Sequence, residues 1–343
     1  MKRLLLAFFA LTILWSCDKG ASSEIEYGTP ITVKLGIDGD VSVSSESVTK
    51  GSADIGIYGI NVYFDKEKDG NTNDIYAFGI FDNVADMTIT MLSGYKYTFK
   101  CTLVRNGVDK LYFGQYGSNT YSGYAKPFQT SKTTSSQVSN SFKYTNNSGG
   151  EYLSGIGSGI AIINNNGAAS GDVTHPKLNR YYGEMANYTP VAGGVVTIPL
   201  KKTCFAVKLI IKGVPEGKLN ADVKIDGSYM LASASAGTAD SIGEAVTYSF
   251  NNITQYVNDG ASAQAVVSWA FTSSKFSQWN LSGSSNITIK RNVLTTVTVS
   301  VTPDNSSGSI SLTEEEWDDD NVINMGINTD GLIDIIVNPE PED

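Results

Sequence analysis

Histidine is almost missing from this chain: His175 is the only one in 343 residues. It stands before Pro176 in an expected loop, and no GxSxG elbow accompanies it. A serine or threonine nucleophile would need it as base, so hydrolytic catalysis has little support. A pair of carboxylates can serve a glycosidase, but no spacing singles out such a pair. Cysteine is scarce too: Cys17, Cys101 and Cys204, with no CxxC and no Cys/His cluster, which argues against structural zinc. Charged residues make up 17%, below the usual quarter or so. Positive charge is the scarcer sign: 25 Lys and Arg against 35 Asp and Glu give a net charge of −10. Without a basic run nothing neutralises phosphates, so nucleic acid is not an expected partner. An anionic membrane surface is disfavoured for the same reason unless a covalent lipid does the anchoring. No metal or other cofactor is expected, and the chain is not read as an enzyme.

Long apolar runs are absent except at the very start. Lys2 and Arg3 precede an apolar stretch from Leu4 to Trp15, broken only by Thr12. This is the length of a signal-peptide core and too short to span a bilayer as a helix. It ends in Leu14-Trp15-Ser16-Cys17 with Asp18-Lys19-Gly20 behind. A small residue before a Cys at that place looks like a lipobox. Residues 1–16 are therefore expected to be a lipoprotein signal peptide, removed so that Cys17 carries the acyl chains. More than one chain anchors stably where a single chain does not.

What fills the chain is Ser, Thr, Asn, 34 Gly and 18 Tyr around a 41% hydrophobic content. That mixture suits strands joined by turns. Ile31, Val33, Leu35 and Ile37 alternate with polar or small residues, giving a strand with one apolar face. Val41 and Val43 repeat the pattern. Tyr58 to Phe64, Ile75 to Phe81, Met87 to Met91 and Tyr95 to Leu103 follow, with Leu111-Tyr112-Phe113 as a returning strand. Residues 114–150 suggest long surface loops. A second unit is expected from residue 192, opening with Val196, Ile198 and Leu200, then Phe205 to Ile211 and later short strands ending at Val297 to Val301. About seven short strands at this spacing argue for an antiparallel β-sandwich. The expected divisions are a tether and first strand over 17–50, sandwiches over 51–191 and 192–303, and an appendix over 304–343.

Asp65, Glu67 and Asp69 alternate before Gly70 and Asn71, but the bidentate acid of a calcium loop would fall at Tyr76, so a hairpin turn is preferred. Glu314 to Asp320 is taken as a solvated acidic segment. Cys101 and Cys204 are read as buried small hydrophobes, with a disulfide as the alternative in an oxidising compartment.

Four features in order resemble the fimbrillins, the type V pilus subunits of Bacteroidetes-type bacteria with their anchor and tip proteins. They are Cys17; the early strand followed by Thr49-Lys50-Gly51 and the strand Ile55 to Phe64; Arg180-Tyr181-Tyr182-Gly183 before Gly193 to Lys202; and Arg291 to Val299. The resemblance implies an all-β fold of two tandem transthyretin-like antiparallel β-sandwich domains. It also implies a mechanism. A trypsin-like surface protease cuts after Lys50, so that Gly51 becomes the new N-terminus, and the first strand leaves with its lipid. A strand from another fimbrial subunit then fills the groove, building a fimbrium at the outer membrane that supports adhesion. The donor strand would lie in Leu332 to Val337, with Ile333, Ile335 and Val337 on one face. The alternatives are an anchor or tip subunit, or a monomeric surface lipoprotein binding carbohydrate through Tyr112, Tyr116, Tyr121 and Tyr124.

Overall fold

The computed structural model describes residues 28–39, the span 56–316 with short internal breaks, and the strand 333–337. Its strands in chain order are β1 (Pro30–Gly39), β2 (Ile57–Phe64), β3 (Asp74–Phe81), β4 (Thr88–Leu92), β5 (Tyr97–Arg105), the two-residue pair β6 (Gln115–Tyr116) and β7 (Asn119–Thr120), and β8 (Phe142–Asn147). A second small pair, β9 (Ile162–Ile163) and β10 (Ala169–Ser170), leads to β11 (Asn179–Tyr188) and β12 (Val195–Lys202). Then come β13 (Cys204–Ile211), β14 (Lys218–Ile225), β15 (Tyr229–Ala236), β16 (Ser241–Ile242), β17 (Val246–Ser249), β18 (Ser262–Thr272), β19 (Leu281–Lys290), β20 (Val293–Thr302), β21 (Ser307–Glu316) and β22 (Ile333–Val337). The fold is all-β.

The first sheet runs β4-β1-β12-β11-β5-β2-β3-β8 and doubles back on itself where β12 meets β11. Only Tyr181–Lys202 and Tyr182–Lys201 pair at that join. A Cβ on Gly183 would lie 2.0 Å from Pro199 O, so the close approach there requires glycine. The result is a short leaf, β4-β1-β12, facing a long leaf, β11-β5-β2-β3-β8. The period-2 alternation puts Val33 and Leu35, Met87, Ile89 and Met91, and Val196, Ile198 and Leu200 into the gap. Ile60, Val62, Phe64, Tyr97, Phe99 and Cys101 meet them from the long leaf.

The segment expected as surface loops is packed instead. Asn61 donates through Nδ2 to Leu153 O and accepts from Leu153 N, both at 2.9 Å, while Phe128 and Leu153 crowd Gly59 from the outer side of β2. Both faces of the long leaf are thereby covered. Phe142–Asn147 pairs with β3, a strand that its polar composition concealed. Leu111 closes a 3-10 turn (Val108–Leu111) rather than a returning strand; its carbonyl accepts from Ala125 N at 2.9 Å. Tyr112 and Phe113 lie outside the described residues, as do Val41 and Val43.

The remaining strands form two facing sheets, β16-β13-β20-β21-β22, with β17 also on β13, and β15-β14-β18-β19. Phe205, Val207, Leu209 and Ile211 face Leu219, Val223, Val267 and Phe271 across the core. Trp269 is accommodated because Gly283 and Gly308 leave room for its ring. Val195–Lys202 was expected to open this second unit; it pairs instead with β1 and β11 in the first sheet. Its apolar face suits either sandwich, and only the pairing decides. Thr203 is the single residue between β12 and β13, with its N and Oγ1 donating to Arg180 O at 2.7 and 3.1 Å.

Arg180 lies at this passage, wholly buried. Nη1 donates to Ser158 O at 3.0 Å, Nη2 to Gly155 O at 3.2 Å and Ile156 O at 2.7 Å, and Nε to Thr102 Oγ1. Burial lowers its pKa to about 9, which leaves the guanidinium charged at neutral pH. Cys101 and Cys204 are both buried and free, so the disulfide alternative does not hold. Cys204 Sγ accepts from Arg180 N at 3.0 Å, and burial pushes the Cys101 thiol well up.

Candidate functional site

β1 is held by two different kinds of pairing. Its first half pairs antiparallel with β4, from Pro30–Leu92 to Lys34–Thr88. Its second half pairs parallel with β12, from Lys34–Val195 to Gly39–Leu200. The two registers meet at Lys34, so β1 joins β4 to β12. Further bonds seat its start and its middle: Ser93 N donates to Thr29 O at 2.8 Å, Leu35 N to Met87 O at 2.9 Å and Lys34 N to Gly194 O at 3.3 Å.

Val33 and Leu35 are buried; Ile31 and Ile37 are half-buried against the same core; Thr32 and Lys34 face solvent. Full burial of such a side chain contributes about 1.5–3 kcal/mol, so the four together contribute roughly 5–9 kcal/mol. That is comparable to the entire stability of an ordinary domain, about 5–15 kcal/mol. Taking β1 out would open a slot lined by Met87, Ile89, Met91, Val196 and Ile198, with unpaired backbone groups along both sides.

The second unit supplies a control. β13 is parallel to β20, from Ala206–Leu294 to Ile211–Val299, just as β1 is to β12. Like β1, β13 has an antiparallel flank as well, to β17 and β16. The difference lies in the chain: β13 follows β12 after one residue, whereas residues 40–55 separate β1 from β2.

The residues expected to act on this strand fall in different places. Cys17, Lys50, Gly51 and Leu332 lie outside the described residues, as does His175. Ile333, Ile335 and Val337 are in β22, opposite Leu312, Ile310 and Gly308 of β21 at the outer edge of its sheet. Of the four tyrosines, Tyr124 packs its ring on Phe128, centroids 5.8 Å apart, Tyr116 lies in β6, and Tyr112 and Tyr121 are outside the described residues. Asp65 closes a turn, with Oδ1 accepting from Lys96 N at 2.6 Å and its carbonyl from Lys68 N at 2.8 Å. Among the described residues no three His, Cys, Asp or Glu side chains group to hold a metal ion. What sequence reasoning missed is the pairing of β12 with β1 and the long leaf's β11; Glu184 and Asn187 break the apolar alternation of β11.

No protein-family model matches the chain, and no curated protein matches it. Its structural neighbours are Bacteroidetes fimbrial and cell-adhesion proteins. The fimbrial anchor protein Mfa2 from Porphyromonas gingivalis aligns at 10% identity and a TM-score of 0.34, over 84% of this chain and 98% of its own. The tip fimbrial protein Mfa3 from the same organism, with C-terminal truncation, aligns at 10% identity and 0.32, over 84% and 100%. A fimbrial assembly protein from Parabacteroides distasonis aligns at 13% and 0.29, over 83% and 95%.

Proposed function

We propose that this chain is a structural subunit of a cell-surface fimbria, without enzymatic activity, whose β1 is a removable strand. It is exported as a lipoprotein through Cys17 and held at the outer membrane, facing outward. A trypsin-like surface protease cuts between Lys50 and Gly51, releasing β1 together with the lipid. The slot then accepts a strand from another subunit. The observation that carries the reading is the seating of β1: one apolar face, two strand partners with no ladder between them, and a connection to β2 that contains Lys50.

The physics is strand addition. An incoming extended segment restores the backbone bonds and refills alternate apolar positions at once. Ile333, Ile335 and Val337 of a second copy have the period of two that Ile31, Val33, Leu35 and Ile37 use. Among the described residues β22 pairs with β21 alone, and an edge strand held by one ladder detaches at low cost. A head-to-tail contact that does not close on itself grows a filament. Where Lys50 is left uncut, the same chain stays anchored through Cys17 as a base subunit.

The test is to treat the full lipid-free precursor with a trypsin-like protease, sequence the new N-terminus and examine the product by gel. A start at Gly51 with a ladder of polymers is the expected result. An intact monomer, or a cut chain that never associates, rejects the shaft-subunit reading. Deleting residues 332–343 should abolish the ladder while leaving the cut unchanged; polymers that persist would remove β22 as the donor.

A further inference from the structure

β4 has a strand neighbour on one side only, and that neighbour is β1. Met87 O and Ser93 N face β1, accepting from Leu35 N at 2.9 Å and donating to Thr29 O at 2.8 Å. In an antiparallel ladder the intervening residues turn their amides and carbonyls the other way, here toward the outer edge of the short leaf. Those groups are taken by three tyrosine hydroxyls from the long leaf. Tyr76 Oη of β3 donates to Thr90 O at 2.9 Å. Thr90 N donates to Tyr144 Oη of β8, also at 2.9 Å. Leu92 N donates to Tyr97 Oη of β5 at 2.9 Å, and that hydroxyl donates back to Leu92 O at 3.1 Å. The rings brace one another: Tyr76 meets Tyr97 edge-on at 5.2 Å and Tyr144 at 5.6 Å, and Phe64 lies 5.1 Å from Tyr76.

Resting on the removable-strand reading above, we infer that Tyr76, Tyr97 and Tyr144 form a clasp that keeps β4 docked on the long leaf while the slot of β1 is empty. Without the clasp, β4 would lose its whole ladder when β1 leaves, and a five-residue strand held only by Ile89 and Met91 would come away with it. With it, one wall of the slot stays formed, and an incoming extended peptide with alternate apolar residues meets a prepared surface. Preformed walls raise affinity by lowering the ordering cost of binding. The same hydroxyls occupy the outer edge of β4, where a wrongly added strand would otherwise pair. Strand entry is thus confined to the position of β1.

The test uses the full chain with a sequence-specific protease site placed within residues 40–55 and cut after folding. The probe is a fluorescent peptide of Pro30–Gly39, and the readout is its rate of uptake in place of β1. The comparison is the Tyr76→Phe/Tyr97→Phe/Tyr144→Phe variant, which keeps all three rings. Four bonds are lost, each contributing a factor of about 2–10, so uptake should slow by about tenfold or more. After the cut, the Thr90 and Leu92 amides should also exchange faster in the variant. Equal uptake by both proteins overturns the clasp and leaves the slot standing. No uptake by either overturns the slot and the clasp with it. If the triple variant does not fold, Tyr144→Phe alone, at a residue 43% exposed, removes the partner of Thr90 N and should slow uptake about threefold; an unchanged rate counts against the clasp.

Discussion

Replacing Arg180 with Met tests how the chain passes from one sandwich to the next. The guanidinium is fully buried, and its four hydrogen bonds end on three backbone carbonyls and one hydroxyl, with no carboxylate among them. Met nearly fills the volume but donates nothing. Thr102 keeps a role, since its hydroxyl still donates to Tyr181 O at 3.1 Å. Gly155 O likewise still accepts from Ser158 N at 3.1 Å. The carbonyls of Ile156 and Ser158 lose their Arg180 donor; each buried acceptor left without one costs about 1–3 kcal/mol. Against this stands the relief of no longer burying a charge, several kcal/mol. Two such acceptors cost roughly 2–6 kcal/mol, and because the relief offsets part of this, a net loss of about 2–3 kcal/mol is expected. Arg180→Lys keeps the charge but not the planar fork, and should fall about halfway. The assay is urea unfolding of the full chain by circular dichroism, with hydrogen exchange read at residues 155–158. A Met variant within about 1 kcal/mol of the parent, with those amides still protected, would refute the reasoning.

Other perturbations probe separate parts of the fold. Leu35→Ala, at a core residue of β1, should cost about 2–5 kcal/mol and speed the loss of β1 from a chain cut within 40–55, measured as release of the labelled strand. Gly183→Ala puts a Cβ 2.0 Å from Pro199 O, a contact only backbone movement can relieve, and should lower the unfolding free energy by about 2–3 kcal/mol in a urea titration; no change would mean the leaves are not joined this closely. Lys50→Gln should leave the acyl label on surface-exposed protein, read by metabolic lipid labelling after protease treatment, whereas loss of label equal to the parent's would place the cut elsewhere. Burial raises Tyr76 and Tyr248 to about 12 from the ordinary 10, and Tyr97 and Tyr182 also upward. The unfolded chain releases those protons first, so stability should hold below about pH 10 and fall as pH rises from there toward 12. Urea midpoints that stay level across that window would contradict it.

Strands with one apolar face were visible in the sequence because alternation survives translation into structure. Ile31 to Ile37, Met87 to Met91 and Tyr95 to Leu103 all proved to face a core. Partnership was not visible. Val196, Ile198 and Leu200 present the same stripe whichever sandwich they enter, and their closeness to Cys204–Ile211 in the chain suggested a shared unit. The pairing of β12 with β1 spans some 160 residues, and nothing local encodes it. β11 and β8 escaped notice because polar residues interrupt them, although each sits in a ladder whose backbone bonds do not depend on side-chain type. Of the tyrosines at the edge of β4, Tyr76 and Tyr97 fell within expected strands and Tyr144 within an expected loop; their hydroxyl partners are main-chain atoms, which leave no trace in a sequence.

The mixed pairing of β1 has a geometric consequence. A strand between two antiparallel neighbours, or two parallel ones, would offer an occupant the same pattern on both flanks. Here one flank runs against the occupant and the other runs with it, meeting at Lys34. Turned end for end, an occupant would exchange the two patterns, parallel to β4 and antiparallel to β12, and both ladders would have to re-form. As filled, the seat has a compass bearing: β1 travels from the Ser93 end toward the Leu200 end. An array built through such seats would point one way along its length, with two unlike ends.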